Sequence, residues 1–213
     1  MARPRAATYD DQHTQILSAA AALFARRGYT ATTMNEVAAA CGVSKATLYH
    51  YFSDKSGLLE HIARAHVERL EALVREVPAS RNPGDRLREL IERFMHAYAG
   101  ARDEHRVLTE DVKFLPDAAR KTVLAGERRV VAAFAGAIAE ARPALDAQLR
   151  KPLAMLLFGM INWTFTWLRP EGRLTHDALA PIVADLFFGG LGAVRGAAPA
   201  APAALRRRGP SVP

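Results

Sequence analysis

The sequence predicts an all-α protein, with a small N-terminal helical unit carrying a larger helical body. Apolar residues recur at spacings of three and four rather than in strict alternation. Prolines and glycines mark the breaks between these periodic segments, and alanine fills much of the rest. A 213-residue chain that is 50% hydrophobic can bury a core without covalent staples.

The elements follow in order. Asp10 and Asp11 are placed to cap a first helix whose apolar positions Ile16, Leu17, Ala20, Leu23 and Phe24 share a face, and Gly28 stops it. Thr33 followed by Glu36 has capping-box spacing and opens a short helix to Ala40, which Gly42 ends. Ser44 caps a helix to Tyr51, and Ser53 is expected to cap a long one from about Asp54 to Val77, before Pro78. The run 78–84 reads as a connector. Helices are then expected at about 85–100, 103–115, 117–141, 146–168 and 175–194, bounded by Asp85, Pro116, Pro143, Pro170 and Thr175. The domain boundaries are set at 10–55 for the head and 56–194 for the body, with an Ala/Pro-rich tail, 195–213, expected to be disordered.

Charge and cysteine usage exclude several classes. The net charge of +7 comes largely from Arg3, Arg5, Arg195, Arg206, Arg207 and Arg208, while residues 10–194 hold 23 basic and 22 acidic groups. Bulk charge therefore says little about partners, and the basic ends read equally as solubilising tails or as salt-sensitive attraction to phosphates. The single cysteine, Cys41, rules out an internal disulfide framework or a cysteine-rich zinc site and is read as a small core residue. The apolar stretch Leu153–Leu168 is short for a membrane span and carries Asn162, Thr164 and Thr166, so it is read as a buried helix. Without a hydrophobic signal segment behind Met1, a cytoplasmic protein is expected.

The segments Thr33–Ala40, Cys41-Gly42-Val43 and Ser44–Tyr51 form helix, glycine-containing turn and second helix, the arrangement that sets a recognition helix into the major groove. Val37, Ala38, Val43 and Leu48 are apolar where the two helices must pack, leaving Lys45, Ala46, Thr47, Tyr49, His50 and Tyr51 to face outward. An exposed row of tyrosines calls for a partner.

At these residues the chain resembles the TetR family of regulators. Gly42-Val43-Ser44-Lys45-Ala46-Thr47-Leu48-Tyr49-His50-Tyr51-Phe52-Ser53-Asp54-Lys55 is similar to that family's recognition helix and the start of its fourth helix. The likeness extends upstream through Phe24–Tyr29, Thr32-Thr33 and Glu36-Val37-Ala38, with Ala46 where glycine is more common. It implies that Lys45, Ala46 and Thr47 face base edges, while Thr33, Tyr49, His50, Tyr51 and Lys55 hold the DNA backbone, with Ser44 also among the DNA-binding residues. It also implies double-stranded operator DNA as partner, a homodimer built by the last two long helices, and repression relieved by a small molecule. Phe187 and Phe188, beside Gly189, Gly190 and Gly192, are expected at that dimer interface.

Aromatic and methionine residues concentrate in the body, as a pocket between helices requires. Tyr98, Phe158 and Trp163 are candidate pocket walls, and Asn162 and Thr166, four apart on one expected helix, are candidate polar contacts. The run Phe158–Pro170, with Gly172, Leu174 and Thr175, resembles the C-terminal domains of TetR-type regulators of fatty-acid, steroid and phenylacetate catabolism. That likeness, shared by Arg106-Val107-Leu108 and Glu127-Arg128-Arg129, implies an acyl-coenzyme A effector, its phosphates near Arg102, Arg106, Arg128 and Arg129. A helical enzyme or a ligand carrier is the alternative, but the seven histidines form no recognisable metal-ligand pair, and neither a nucleophile elbow nor a phosphate loop is present. No cofactor or metal is expected.

Overall fold

The computed structural model describes residues 9–79, 82–169 and 171–195, which form helices and their connections with no strand among them. The all-α expectation is met. Arg3, Arg5 and the arginines at 206–208 lie outside the described residues.

The head comprises α1 (Tyr9–Arg27), α2 (Met34–Cys41) and α3 (Lys45–Tyr51). Ile16, Ala20, Leu23 and Phe24 are the buried stripe of α1. The chain leaves α1 through Gly28 and α2 through Gly42, whose left-handed φ of 86° and 67° only glycine adopts without strain. The capping box at α2 is complete: the Thr33 hydroxyl accepts from Glu36 N–H, and Glu36 accepts from Thr33 N–H at 2.8 Å. Ser44 caps α3 by accepting from Thr47 N–H at 3.0 Å.

The cap of α4 (Lys55–Glu76) is Asp54, whose carboxylate accepts from Gly57 N–H at 2.7 Å, and not Ser53. The reason is geometric: an N-cap side chain reaches N–H groups two or three residues ahead, which places Asp54, immediately before the helix, in range. Beyond α4 come α5 (Asp85–Gly100), α6 (Arg102–Asp111), a 3-10 turn (Val112–Phe114) and α7 (Asp117–Ala141). The chain ends its described course in α8 (Ala147–Asn162), α9 (Thr164–Trp167) and α10 (His176–Leu191).

The helix expected over 146–168 breaks at Trp163. His105 Nε2 donates to the Asn162 carbonyl at 3.3 Å, and the Thr164 hydroxyl donates to Ile161 O at 2.7 Å. Those carbonyls thus have partners outside the regular helical ladder, and Thr166 N–H turns to Trp163 O instead. Thr166 is left exposed on α9, off the face that carries Asn162.

Two buried clusters meet along α4. One joins the head to the first half of α4, to Val107, Leu108 and Val112 after α6 begins, and to Ala119 and Val123 of α7. The other gathers the end of α4, α5, the rest of α7, α8 and α10 around Phe94, Phe134, Leu157 and Phe158. The division at residue 55 is therefore no gap in packing, because α4 and α6 belong to the core under the head. Among the described residues no helix is long and apolar enough to cross a membrane.

Candidate DNA-reading surface and effector cavity

The outward face of α3 presents Lys45, Ala46, Tyr49 and His50, all exposed, with the Lys45 ammonium 5.7 Å from the Tyr49 ring centre. Leu48 is the buried anchor of this helix. Other residues expected to touch DNA have occupations within the protein. The hydroxyls of Ser44 and Thr47 lie 2.8 Å apart at the cap, and the Thr33 hydroxyl donates to Glu36 at 2.9 Å. Tyr51 is half-buried, donates to Gln12 at 3.0 Å and stacks on Tyr9 with ring centres 4.6 Å apart.

Lys55 departs most from its expected role. Its ammonium donates to the carbonyls of Tyr29, Thr30 and Thr32 at 2.8, 3.3 and 2.8 Å and lies 4.4 Å from the Tyr29 ring centre. An ammonium has three hydrogens, so this set leaves none for a phosphate. Lys55 ties the loop after α1 to α4. Asp111, at the end of α6, holds the same loop by accepting from Tyr29 N–H, and burial pushes its carboxyl up. Neither clamp was legible in the sequence, where Lys55 reads as a contact to the DNA backbone and nothing local marks Asp111 as the anchor of a loop.

The body encloses a cavity of about 160 Å³ between α4, α5, α6, α7 and α8, with Val67, Leu70, Val130 and Phe158 as apolar walls and Tyr98, His105, Thr109, Glu127 and Asn162 as polar groups. Leu108, Thr109, Glu127 and Asn162 also line an outer cleft of about 820 Å³ that reaches the Gly28–Thr30 loop and Trp163. Glu127, Val131 and Met155 also line a separate groove of about 610 Å³ between α7 and α8, where Arg128 and Lys151 stand.

The polar end of the cavity is a chain of hydrogen bonds. Tyr98, buried, donates to Asn162 Oδ1 at 2.9 Å, and its ring stacks on His105 with centres 3.8 Å apart. Because the Asn162 carbonyl can only accept, His105 carries its proton on Nε2, and its Nδ1 accepts from His66 Nε2 at 3.3 Å. His66 Nδ1 then has a buried lone pair with no partner among the described residues. Burial lowers His66 to about 3, with His105 adding to the effect, and lowers His105 to about 4 against the opposing hydrogen bond to Asn162, so both rings are neutral at pH 7. Tyr98 is pushed up by burial and by the charge of Glu127.

Of the expected ligand residues, Tyr98, Phe158 and Asn162 border the cavity, and Trp163 borders only the outer cleft. Arg102, Arg106 and Thr166 do not. Arg102 donates to Phe165 O at 2.7 Å, Arg106 pairs with Glu110 at 3.0 Å, and Thr166 donates back to Trp163 O on the exposed side of α9. Arg129 pairs with Glu71 at 2.7 Å, which leaves Arg128 as the expected arginine that edges the groove. His66, His105 and Lys151 carry no site role in the sequence analysis, and Glu127 enters it only within the Glu127-Arg128-Arg129 likeness. A histidine at 105 beside Val107 and Leu108 hinted at burial, but its partner lies 39 residues away.

The C-terminal helices carry an uncovered apolar stripe: Met155 and Leu156 of α8 and Ile182 and Leu186 of α10 are large and exposed, and Gly159, Gly189 and Gly190 beside them are exposed too. Phe188 is not part of it. Its ring packs within its own chain, 5.2 Å from the Arg88 guanidinium and against Gly84, while Phe187 is in the core.

Residues 16–62 match the pattern described as "Bacterial regulatory proteins, tetR family", and residues 80–191 match that of "Tetracyclin repressor-like, C-terminal domain". The chain is 28% identical over 186 residues to the transcriptional repressor KstR2 of Rhodococcus jostii, covering 84% of this chain and 91% of that one. It is 28% identical over 185 residues to the transcriptional activator FasR of Mycolicibacterium smegmatis, covering 85% and 84%. Among solved structures it is similar to a TetR-family regulator from Bordetella parapertussis (36% identity, TM-score 0.81, 89% of this chain and all of that one). It is also similar to AibR in complex with isovaleryl coenzyme A and operator DNA (28% identity, TM-score 0.73, 82% and 97%).

Proposed function

Because this chain belongs to the TetR family of bacterial transcriptional regulators, we propose that it represses from a partly palindromic operator and lets go when a short acyl-coenzyme A thioester enters the body. In this reading two copies pair through the stripe of Leu156, Ile182 and Leu186 and set the two α3 helices about 34–36 Å apart, or a multiple of it. Lys45, Ala46, Tyr49 and His50 meet the DNA, with Lys45 directed to a base edge. Thr33, Ser44, Thr47, Tyr51 and Lys55 shape and hold that surface from behind.

The observation that carries the effector half is a small, largely apolar cavity that shares the walls Glu127, Val131 and Met155 with a surface groove edged by Arg128 and Lys151. An acyl chain fits the first and a phosphorylated nucleotide the second. The cavity, about 160 Å³, is close in size to one of about 150 Å³ that accepts benzene, so it suits an acyl group of about four to six carbons. AibR, similar over most of its length, is seen in complex with isovaleryl coenzyme A and operator DNA.

Release follows from the clamps on α6. His105, Leu108 and Thr109 of α6 line the cavity, and Asp111 at its end holds the loop after α1. A ligand that shifts α6 turns the head, and it releases DNA by as much as it prefers the turned form over the DNA-bound one. The test is titration of the protein–operator complex with acyl-coenzyme A thioesters of graded length. Release with an optimum at short chains is the expected result; release by a cationic drug and by no thioester overturns it.

A further inference from the structure

Glu127 borders the inner cavity, the outer cleft and the α7–α8 groove at once. A ligand with one end beside Tyr98 and the other beside Arg128 and Lys151 must pass it. The carboxyl is half-buried and has no hydrogen bond to another described residue; burial pushes it up, and Arg128 opposes that. Its backbone is held firmly, because a Cβ on neighbouring Gly126 would come within 2.3 Å of Val67 on α4.

We propose that Glu127 is the selectivity gate of the effector site, turning away free carboxylic acids and accepting the amide N–H groups that a coenzyme A thioester carries along its arm. This rests on the acyl-thioester reading above. Few polar groups nearby can donate: the Tyr98 hydroxyl gives its proton to Asn162 Oδ1 and the Thr109 hydroxyl gives its own to His105 O, which leaves the side-chain amide of Asn162 as the donor in the cavity wall. A free acid entering head-last leaves its carboxylate beside a second, half-buried carboxylate, where like charges repel and partial burial weakens their screening by water. A thioester is uncharged at that point. Its arm then offers amide hydrogens at the depth where Glu127 stands, and its phosphates lie further out, toward the cations. Position and charge thus make one residue both a barrier to acids and an anchor for thioesters.

The experiment compares three forms of one short acyl group, the coenzyme A thioester, the pantetheine thioester and the free acid, at about pH 8, where the acid is ionised. Release of labelled operator and calorimetric binding are both read, on wild type, Glu127→Gln and Glu127→Leu, with melting curves to confirm folding. In wild type the free acid is expected to be about 100-fold weaker than the pantetheine thioester. Glu127→Gln should narrow that gap at least about tenfold by gaining response to the acid, and Glu127→Leu should in addition weaken both thioesters, having no acceptor for their amides. A gap unchanged within about threefold in both variants, with thioesters still active, overturns the gate alone. If no thioester of any length binds or releases wild type, the effector reading falls and the gate falls with it.

Discussion

Two lysines of the head, ten residues apart, show how the same side chain takes different work from its surroundings. Lys45 is exposed and its ammonium has no carbonyl partner, whereas Lys55 gives all three hydrogens to backbone carbonyls. Lys45→Ala should therefore weaken operator binding by about 1–3 kcal/mol and relax preference at one base pair. Lys55→Met should instead lower folding stability by about 2 kcal/mol, since hydrogen bonds from a charged group are lost, and leave the salt slope of DNA binding unchanged. A salt slope flattened by about one unit would restore a phosphate contact. The histidines of the body give a second residue-scale prediction. His66 and His105 stay neutral when folded, at about 3 and about 4, but take protons near 6.5 when unfolded. The unfolded chain then binds more protons, so their contribution is whole above about pH 6.5 and is lost as pH falls toward 4, with a slope of up to about 1.4 kcal/mol per pH unit for each. Denaturant midpoints at pH 7 and pH 5 should differ more for wild type than for a His66→Gln, His105→Gln double variant. Equal differences would mean that the rings are not buried neutral.

At the scale of elements, helix identity follows local chemistry and helix ends follow partners. The capping box at Thr33 and Glu36 and the glycine stops at 28 and 42 stand where spacing predicts them, because every group involved lies within a few residues. The break at Trp163 depends on His105, 57 residues away from the carbonyl it takes, and so no local pattern announces it. The same holds for the crossing of α4 and α7. Gly126 reads as a weak point in a helix, yet a Cβ there would meet Val67 Cγ1 at 2.3 Å and Glu71 Oε1 at 3.1 Å. Gly126→Ala gains helix propensity of about 1 kcal/mol but must push two packed helices apart. The expected outcome is a net loss of about 1–2 kcal/mol in chemical unfolding, with altered effector response, since Glu127 is the next residue. An unchanged or raised stability would show that α4 can retreat freely.

For the whole molecule, the question is which apolar surface a second copy covers. Leu156 and Leu186 are 65% and 64% exposed, far more than a monomer gains by showing, while Phe188 is satisfied within its own chain. Leu156→Glu together with Leu186→Glu should dissociate the dimer in sedimentation and weaken operator binding by at least about tenfold, because two half-sites are then no longer bound by one body. Phe188→Asp should act differently, lowering stability without a specific loss of pairing. A double glutamate variant that sediments as a dimer would move the interface elsewhere.

By itself the sequence determined the all-α class, the helix-turn-helix run from Thr33 to Tyr51, most helix boundaries and the apolar character of the body. Each of these rests on periodicity, caps and turn residues, which act over a few positions of chain. Tertiary structure alone decided that Lys55 faces the protein, that Thr166 leaves the cavity, that Phe188 turns inward, and that His66, His105, Tyr98 and Asn162 form one buried chain beside Glu127. Those outcomes depend on groups 20 or more residues apart competing for the same hydrogen bonds and the same apolar space. A one-dimensional pattern records what a residue offers, and only packing settles which partner takes it.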